Sequence, residues 1–335
     1  MRFVLFSLML LFFSPIMSQQ QSVEQLRETA ISFQRQQDFT NTLMVLGRAL
    51  EIAPENLTIL KDVAFTYYLG GDFRRAAERI SPLTDREDAD VQVFQIAGNI
   101  YKAMEEWKQA EKVYKKGLKK YPVSGPLFSE YGDLMWSLEK SEEAILQWEN
   151  GINVDPSHSG NYYHAAKFYF AAADKARSIV YGETFVNLES YSVRTAEIKV
   201  LLIESYKRVF MSSEAKQHFI KKTTDFELKF LEILMKQSEL AARGITPETL
   251  LVIRSRFILD WFNTVGSSFP SQLFDHQQYL LREGMYEAYN QWLFGPVADV
   301  NTYQYWIRTH DVEYKKFQQY QRNKLFKMPA GQHYF

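Results

Sequence analysis

The feature that most constrains this chain is a period of 34 residues running through its first half. Pro54, Pro122 and Pro156 stand two periods and one period apart, and a wider pattern falls into the same register, with units starting near Val23, Leu57, Val91 and Gly125. Within each unit one position holds only a small residue, Ala30, Ala64, Gly98 or Gly132, and three residues on stands a bulky one, Phe33, Tyr67, Tyr101 or Met135. A second small position carries Ala76, Ala110 and Ala144, with Thr42 in the first unit. Four residues later come Leu46, Ile80, Tyr114 and Trp148. Small against large at fixed offsets is what two closely packed helices require, since ridges of one must enter grooves of the other without voids. Proline then stops the second helix, except in the second unit, where Asp88 takes its place. Gly70-Gly71-Asp72 lies at the turn between the two helices of that unit, so glycine's backbone freedom accounts for it without a phosphate-binding loop.

From Val23 to Pro156 these residues resemble the tetratricopeptide-repeat family, of the bacterial exported type. The resemblance implies an all-α fold, a right-handed solenoid of helix-turn-helix repeats, continued here by irregular C-terminal helical hairpins. A decayed fifth unit is expected from Ser159, with Tyr162, Ala166 and Tyr169 in the expected places. Its second helix reads as shortened by two residues, with Ala176 early and no closing proline, so the register is lost near Ser190. The expected organisation is a signal peptide over 1–18, a repeat array over 19–190, a C-terminal helical region over 191–322 and a tail over 323–335.

In this family the first helix of each unit lines a concave groove that contacts extended peptides or partner helices. The resemblance therefore implies a partner-binding groove of Lys61, Phe65 and Tyr68 from the second unit, and Gln95, Asn99 and Lys102 from the third. Asp133 and Trp136 follow from the fourth, and Tyr163, Lys167 and Phe170 from the fifth. Water-facing positions give Phe65, Tyr68, Trp136 and Phe170 no packing reason to be aromatic, and aromatics flanked by amides and lysines have the composition of a binding hot spot. The competing reading is that the C-terminal helices fold back and cover them. One branch of the family grips a peptide's terminal carboxylate with lysines and asparagines. Lys61 matches that clamp, but Phe65 replaces its asparagine and Gln95 and Glu130 also depart from it, which disfavours a chaperone-tail clamp.

The N-terminus carries Arg2, the apolar run Phe3–Phe13 and a small residue at Ser18, the three regions of a secretory signal peptide cleaved near Ser18. The run is short of the roughly 20 residues of a spanning helix, so no membrane span is expected after cleavage. With no cysteine, disulfides and thiol catalysis are excluded, and the reading is a periplasmic or secreted protein held by its core alone. A net charge of -1 supplies no global field for nucleic acid or an anionic membrane.

Beyond Arg194 the rhythm stays helical. Phe219, Thr223, Phe226, Phe230, Ile233 and Leu234 follow one helical face; Gly244 closes that helix, and Thr246-Pro247-Glu248 opens another carrying Ile253, Phe257, Trp261 and Val265. One further helix is expected from about Ser271 to Phe294, broken by Gly295-Pro296, and a last one capped by Asn301 and Gln304 with Tyr303, Trp306, His310, Phe317 and Tyr320 on one side. Continuing the stack and forming a separate helical module both fit this pattern. The aromatics read as core.

The six histidines are scattered, without an HExxH pair, and no GxSxG elbow or dinucleotide fingerprint occurs. No catalytic residue, metal ligand or cofactor is assigned. The expectation is a non-enzymatic scaffold binding a protein or peptide partner, within an envelope or export assembly. Two alternatives stay open: a helical hydrolase or lyase using His276 or His310, and nucleic-acid binding by the basic last helix with Arg308, Lys315, Lys316, Arg322, Lys324 and Lys327.

Overall fold

The computed structural model describes residues 22–211 and 224–332, and among these every regular element is a helix. The expected signal segment, Phe219, Thr223 and His333 lie outside the described residues. No described helix is long and apolar enough to cross a membrane. Two compact units divide between Asp88 and Ala89.

The first unit holds two hairpins, α1 (Val23–Arg35) with α2 (Phe39–Ile52) and α3 (Leu57–Leu69) with α4 (Phe73–Ile80). A 3-10 turn over Ser81–Asp85, with Pro82 in its first turn, follows the short α4. The second unit opens with three hairpins: α5 (Val91–Ala103) with α6 (Trp107–Lys120), α7 (Gly125–Ser137) with α8 (Ser141–Val154), and α9 (Ser159–Ala171) with α10 (Lys175–Leu188). It continues through α11 (Val193–Met211), α12 (Asp225–Met235), α13 (Ser238–Ala241), α14 (Pro247–Thr264), α15 (Gln272–Arg282), α16 (Tyr286–Ala298), α17 (Val300–Thr309) and α18 (Asp311–Asn323).

Local chemistry explains where the repeat helices begin. Ser22, Asn56, Asp90 and Ser124 each accept a first-turn N–H with their side chains, which satisfies donors that have no partner inside the helix. The turn inside each hairpin is built the same way five times. The amide of Asp38 donates to the carbonyl of Phe33 at 3.0 Å, and the bond recurs at 2.9 Å from Asp72 to Tyr67, Glu106 to Tyr101, Lys140 to Met135 and Asp174 to Tyr169. The residue before each donor, Gln37, Gly71, Glu105, Glu139 or Ala173, is left-handed, with φ between 58 and 77°. This is the Schellman end of a helix, and its acceptors are the bulky residues of the sequence pattern. Where the donor is aspartate, its carboxylate then caps the second helix, as at Asp38, Asp72 and Asp174.

The small and large positions interlock as volumes. A Cβ on Gly98 would lie 2.2 Å from the Tyr114 ring, and one on Gly132 would lie 2.3 Å from Trp148. Where the small residue is alanine instead, at Ala30 and Ala64, the residue in the other register position is the smaller Leu46 or Ile80, and all four are buried.

The fifth hairpin differs from its expected form. Its second helix is not shortened: α10 is 14 residues long, as are α6 and α8. The small residue in register is Ser178, fully buried with its hydroxyl 2.8 Å from that of Ser205 on α11, rather than Ala176. Gly182 occupies the large position, and a Cβ there would lie 3.1 Å from Leu202 and 3.3 Å from Ile198. Side chains of α11 thus occupy the space beside Gly182. Because α11 starts 34 residues after Ser159, the period runs one helix past Ser190.

From α11 onward the helices pack on the fifth hairpin and on one another within the second unit. Phe226, Phe230, Phe257, Trp261 and Phe274 form one buried cluster, with Trp261 and Phe274 centroids 4.8 Å apart. Thr246 caps α14 with Pro247 in its first turn, as its sequence indicates. The single helix expected from Ser271 to Phe294 is two, α15 and α16, because Gly284 turns the chain at φ +67°. Gly295-Pro296 does not break α16; a Cβ on Gly295 would lie 2.4 Å from the Tyr303 ring, so glycine there permits the close approach of α17. The last helix is also two. Asp299, not Asn301, caps α17 by accepting the Thr302 amide at 2.6 Å, and the chain breaks at His310, whose Nδ1 lies 3.1 Å from the Trp306 carbonyl oxygen.

A buried polar network ties these helices to the repeats. Glu183 on α10 pairs with Arg254 on α14 and accepts hydrogen bonds from Gln277 Nε2 at 2.7 Å and Tyr289 Oη at 2.8 Å. Arg254 also donates to Asn290 Oδ1 at 2.9 Å, and its guanidinium lies 5.1 to 5.4 Å from the centroids of Phe294, Tyr286 and Tyr289.

Three substitutions separate these devices by urea unfolding. Gly132→Ala, driven into the packed Trp148 ring, is expected to destabilise by about 1–3 kcal/mol, while Gly47→Ala in α2, which meets nothing within 4 Å, stabilises; a neutral Gly132→Ala removes the interlocking account. Ala173→Gly should relieve a left-handed residue and stabilise by about 1 kcal/mol, an assignment that fails if the midpoint falls.

Candidate partner-binding face

Four first helices of the second unit, α5, α7, α9 and α11, succeed one another at the repeat period, and their polar side chains meet across neighbours. Lys102 Nζ on α5 pairs with Asp133 on α7 and lies 3.7 Å from Glu130, whose carboxyl is pushed up by burial. Asn99 Oδ1 accepts the Tyr114 hydroxyl at 2.8 Å. One repeat on, Lys167 Nζ on α9 lies 2.7 Å from Glu197 on α11, which also accepts the Tyr163 hydroxyl at 2.5 Å. Arg194 lies 5.1 Å from the Tyr163 centroid. Gln95 is half-buried.

The aromatics divide according to what lies over them. Tyr163 is buried, and Phe170 is half-buried with the Arg208 guanidinium 3.8 Å from its centroid, so α11 occupies the face of the fifth hairpin. Trp136 on α7 keeps 45 % of its surface exposed. Its ring rests on Phe168 and Trp148, each 6.1 Å between centroids, and His164 stacks on Trp148 at 5.0 Å and 9° from coplanar. In the first unit Phe65 is 36 % exposed and stacks on the half-buried Tyr68 at 6.0 Å, which meets Phe73 at 5.8 Å. Lys61, expected to face the groove, is buried, an arrangement its long aliphatic stem tolerates.

Five hairpins in one register, each with the same Schellman turn and a small residue seated at the helix crossing, decide the architecture. These are helix-turn-helix repeats, the form that the tetratricopeptide resemblance implies. No protein-family model matches the chain. No curated protein matches it in sequence. Among solved structures it is similar to TTC0263, a thermophilic TPR protein in Thermus thermophilus, at 14 % identity and a TM-score of 0.47, over 54 % of this chain and 100 % of that one. It is also similar to MamA from Desulfovibrio magneticus RS-1, at 14 % identity and a TM-score of 0.38 over 50 % and 93 % of the two chains. A third is YrrB, a TPR protein with an unusual peptide-binding site, at 13 % identity and a TM-score of 0.37 over 53 % and 92 %. At these values the repeat architecture rests on the hairpins themselves.

Away from the repeat hairpins, the two histidines considered for acid/base chemistry have other partners. His276 Nδ1 lies 3.2 Å from the Tyr320 hydroxyl, and His310 Nδ1 lies 3.0 Å from Thr309 Oγ1 and stacks on Trp306. Among the described residues no group of three or more His, Cys, Asp or Glu is placed to hold a metal ion. Of the basic C-terminal residues, Lys315 pairs with Asp311 at 2.8 Å and Lys316 donates to the Glu283 carbonyl at 2.6 Å.

Sequence reasoning missed Phe168 and His164 beside Trp136, and Arg194 and Glu197 beside Tyr163. The helical rhythm of α9 offered the first pair; nothing local marks the second, because α11 carries the period without the small-and-large signature that would announce it.

Burial pushes the His164 pKa down to about 4, against about 6.5 in an unfolded chain. The folded state therefore binds fewer protons between these values, so stability present above pH 6.5 is lost as pH falls toward 4. Urea midpoints measured from pH 7.5 to 4.5 should fall less steeply for His164→Gln than for the parent protein; equal slopes would sink this assignment.

Proposed function

We propose that the protein is a non-enzymatic scaffold that holds a segment of a partner protein against the first-helix face of its tetratricopeptide hairpins. The observation that carries this reading is Trp136, a large ring nearly half exposed on α7 and supported from beneath by Phe168 and Trp148. An exposed indole on a rigid aromatic platform loses little entropy on binding and buries a large area, which is how hot spots arise. The lysines of that face are engaged with neighbouring carboxylates, so they set its register while the aromatics supply affinity. Phe65 and Tyr68 offer a second stacked pair in the first unit. The Phe3–Phe13 run and Ser18 support an exported scaffold, periplasmic or secreted, working in an envelope or export assembly.

The test is a photo-crosslinking residue at position 133, beside Trp136, in cells making the full chain, followed by identification of the attached protein. Trp136→Ala should weaken capture of that partner by about 30-fold, the loss of a hot-spot side chain worth about 2 kcal/mol, with helicity unchanged. Val312→Ala, at an exposed apolar position on α18, should leave it intact. Undiminished capture by the Trp136 variant rejects the face.

A further inference from the structure

A second feature of the second unit is independent of the partner face. Where the end of α10 meets α15, α18 and the chain after it, a cavity of about 290 Å³ opens to solvent. Its walls are unusual in sign: they include Arg322 and Lys324 and no aspartate or glutamate. Among the described residues neither cation takes part in an ion pair; Lys324 instead lies 4.3 Å from the Tyr279 centroid and 5.5 Å from that of Tyr320. The Tyr191 hydroxyl reaches Gln321 Oε1 at 2.7 Å and closes one side.

The wall beside these cations is aromatic. His276 stacks on Tyr320 with centroids 5.9 Å apart and 20° between planes, and meets Phe326 at 5.2 Å. Its burial and the neighbouring Lys324 push its pKa down to about 4, so at neutral pH it contributes a flat uncharged ring. Two cations set beside flat rings select a ligand that joins a negative charge to a flat apolar body. The volume sets its size. At the roughly 30 Å³ that one water occupies in the liquid, the cavity holds on the order of ten non-hydrogen atoms.

We propose that this cavity is a binding site for a small aryl carboxylate, with the carboxylate at Arg322 and Lys324 and the ring against His276, Tyr320 and Phe326. The site is built from α10, α15 and α18 and shares no residue with the α7 and α9 face, so its ligand is bound independently of the partner segment.

Isothermal titration of the purified full chain with phenylacetate tests the proposal, with phenylacetamide as the uncharged probe of the same shape. Phenylacetate should bind, and phenylacetamide should bind at least tenfold more weakly. The double variant Arg322→Gln/Lys324→Gln, at two exposed positions, should lose at least tenfold in phenylacetate affinity with its melting temperature unchanged. Arg308→Gln/Lys315→Gln, which removes two charges from α17 and α18 outside the cavity, should keep the parental affinity. Absence of binding at millimolar phenylacetate, equal binding of the amide, or equal losses in the two double variants overturns it.

Discussion

Everything in this protein depends on how closely the two helices of a hairpin approach. At the crossing in the third and fourth hairpins there is no room for even a methyl group on Gly98 or Gly132, because Tyr114 and Trp148 already fill it. That contact uses up the inward faces of both helices, and the Schellman turn fixes how the chain gets from one to the other. What remains of the first helix points away from the crossing. Its side chains are therefore free to meet the next hairpin or solvent, and the division between Lys102, which pairs onward, and Trp136, which stays half exposed, follows from it.

The same constraint explains how much could be read in advance. Volume exchange across a helix crossing leaves small and large residues at fixed offsets, so Ala30 with Leu46 and Gly132 with Trp148 were legible without coordinates. The rule stopped working at the fifth hairpin for a physical reason. There the large position is Gly182, and α11 fills the space with Leu202 and Ile198, which no offset within the hairpin can show. A polar Ser178 at the crossing disguised the register further, since its hydroxyl is satisfied by Ser205 from another helix. The helix breaks at Gly284 and His310 were missed because one depends on a positive φ and the other goes with a ring nitrogen that lies 3.1 Å from the Trp306 carbonyl oxygen. For the candidate face, the exposed aromatics were legible as residue types, but whether each stayed exposed depended on α11. That helix lies over Tyr163 and Phe170 and not over Trp136.

The C-terminal helices are held to the array by a charge that cannot be left alone. Glu183 sits out of water in the last repeat helix, and burial pushes its carboxyl up while Arg254 pulls it back. A buried carboxylate with one partner removed is costly, so Arg254, Gln277 and Tyr289 must all be in place together. The requirement gives the irregular helices one docking position among the many that their apolar surfaces would tolerate. Residues 71, 94 and 106 positions from Glu183 converge there, which is why no local motif announces the network.

The ion pairs between successive first helices have a mechanical meaning. Lys102 with Asp133 joins the third hairpin to the fourth, and Lys167 with Glu197 joins the fifth hairpin to α11. They act as tie-rods. Drawing neighbouring first helices apart must stretch a charge pair into water. Salt screens such pairs far more than it weakens apolar packing. The resistance of neighbouring first helices to separation therefore falls with ionic strength, more at the exposed Lys167 pair than at the partly buried Lys102 pair, while the core stays as it is.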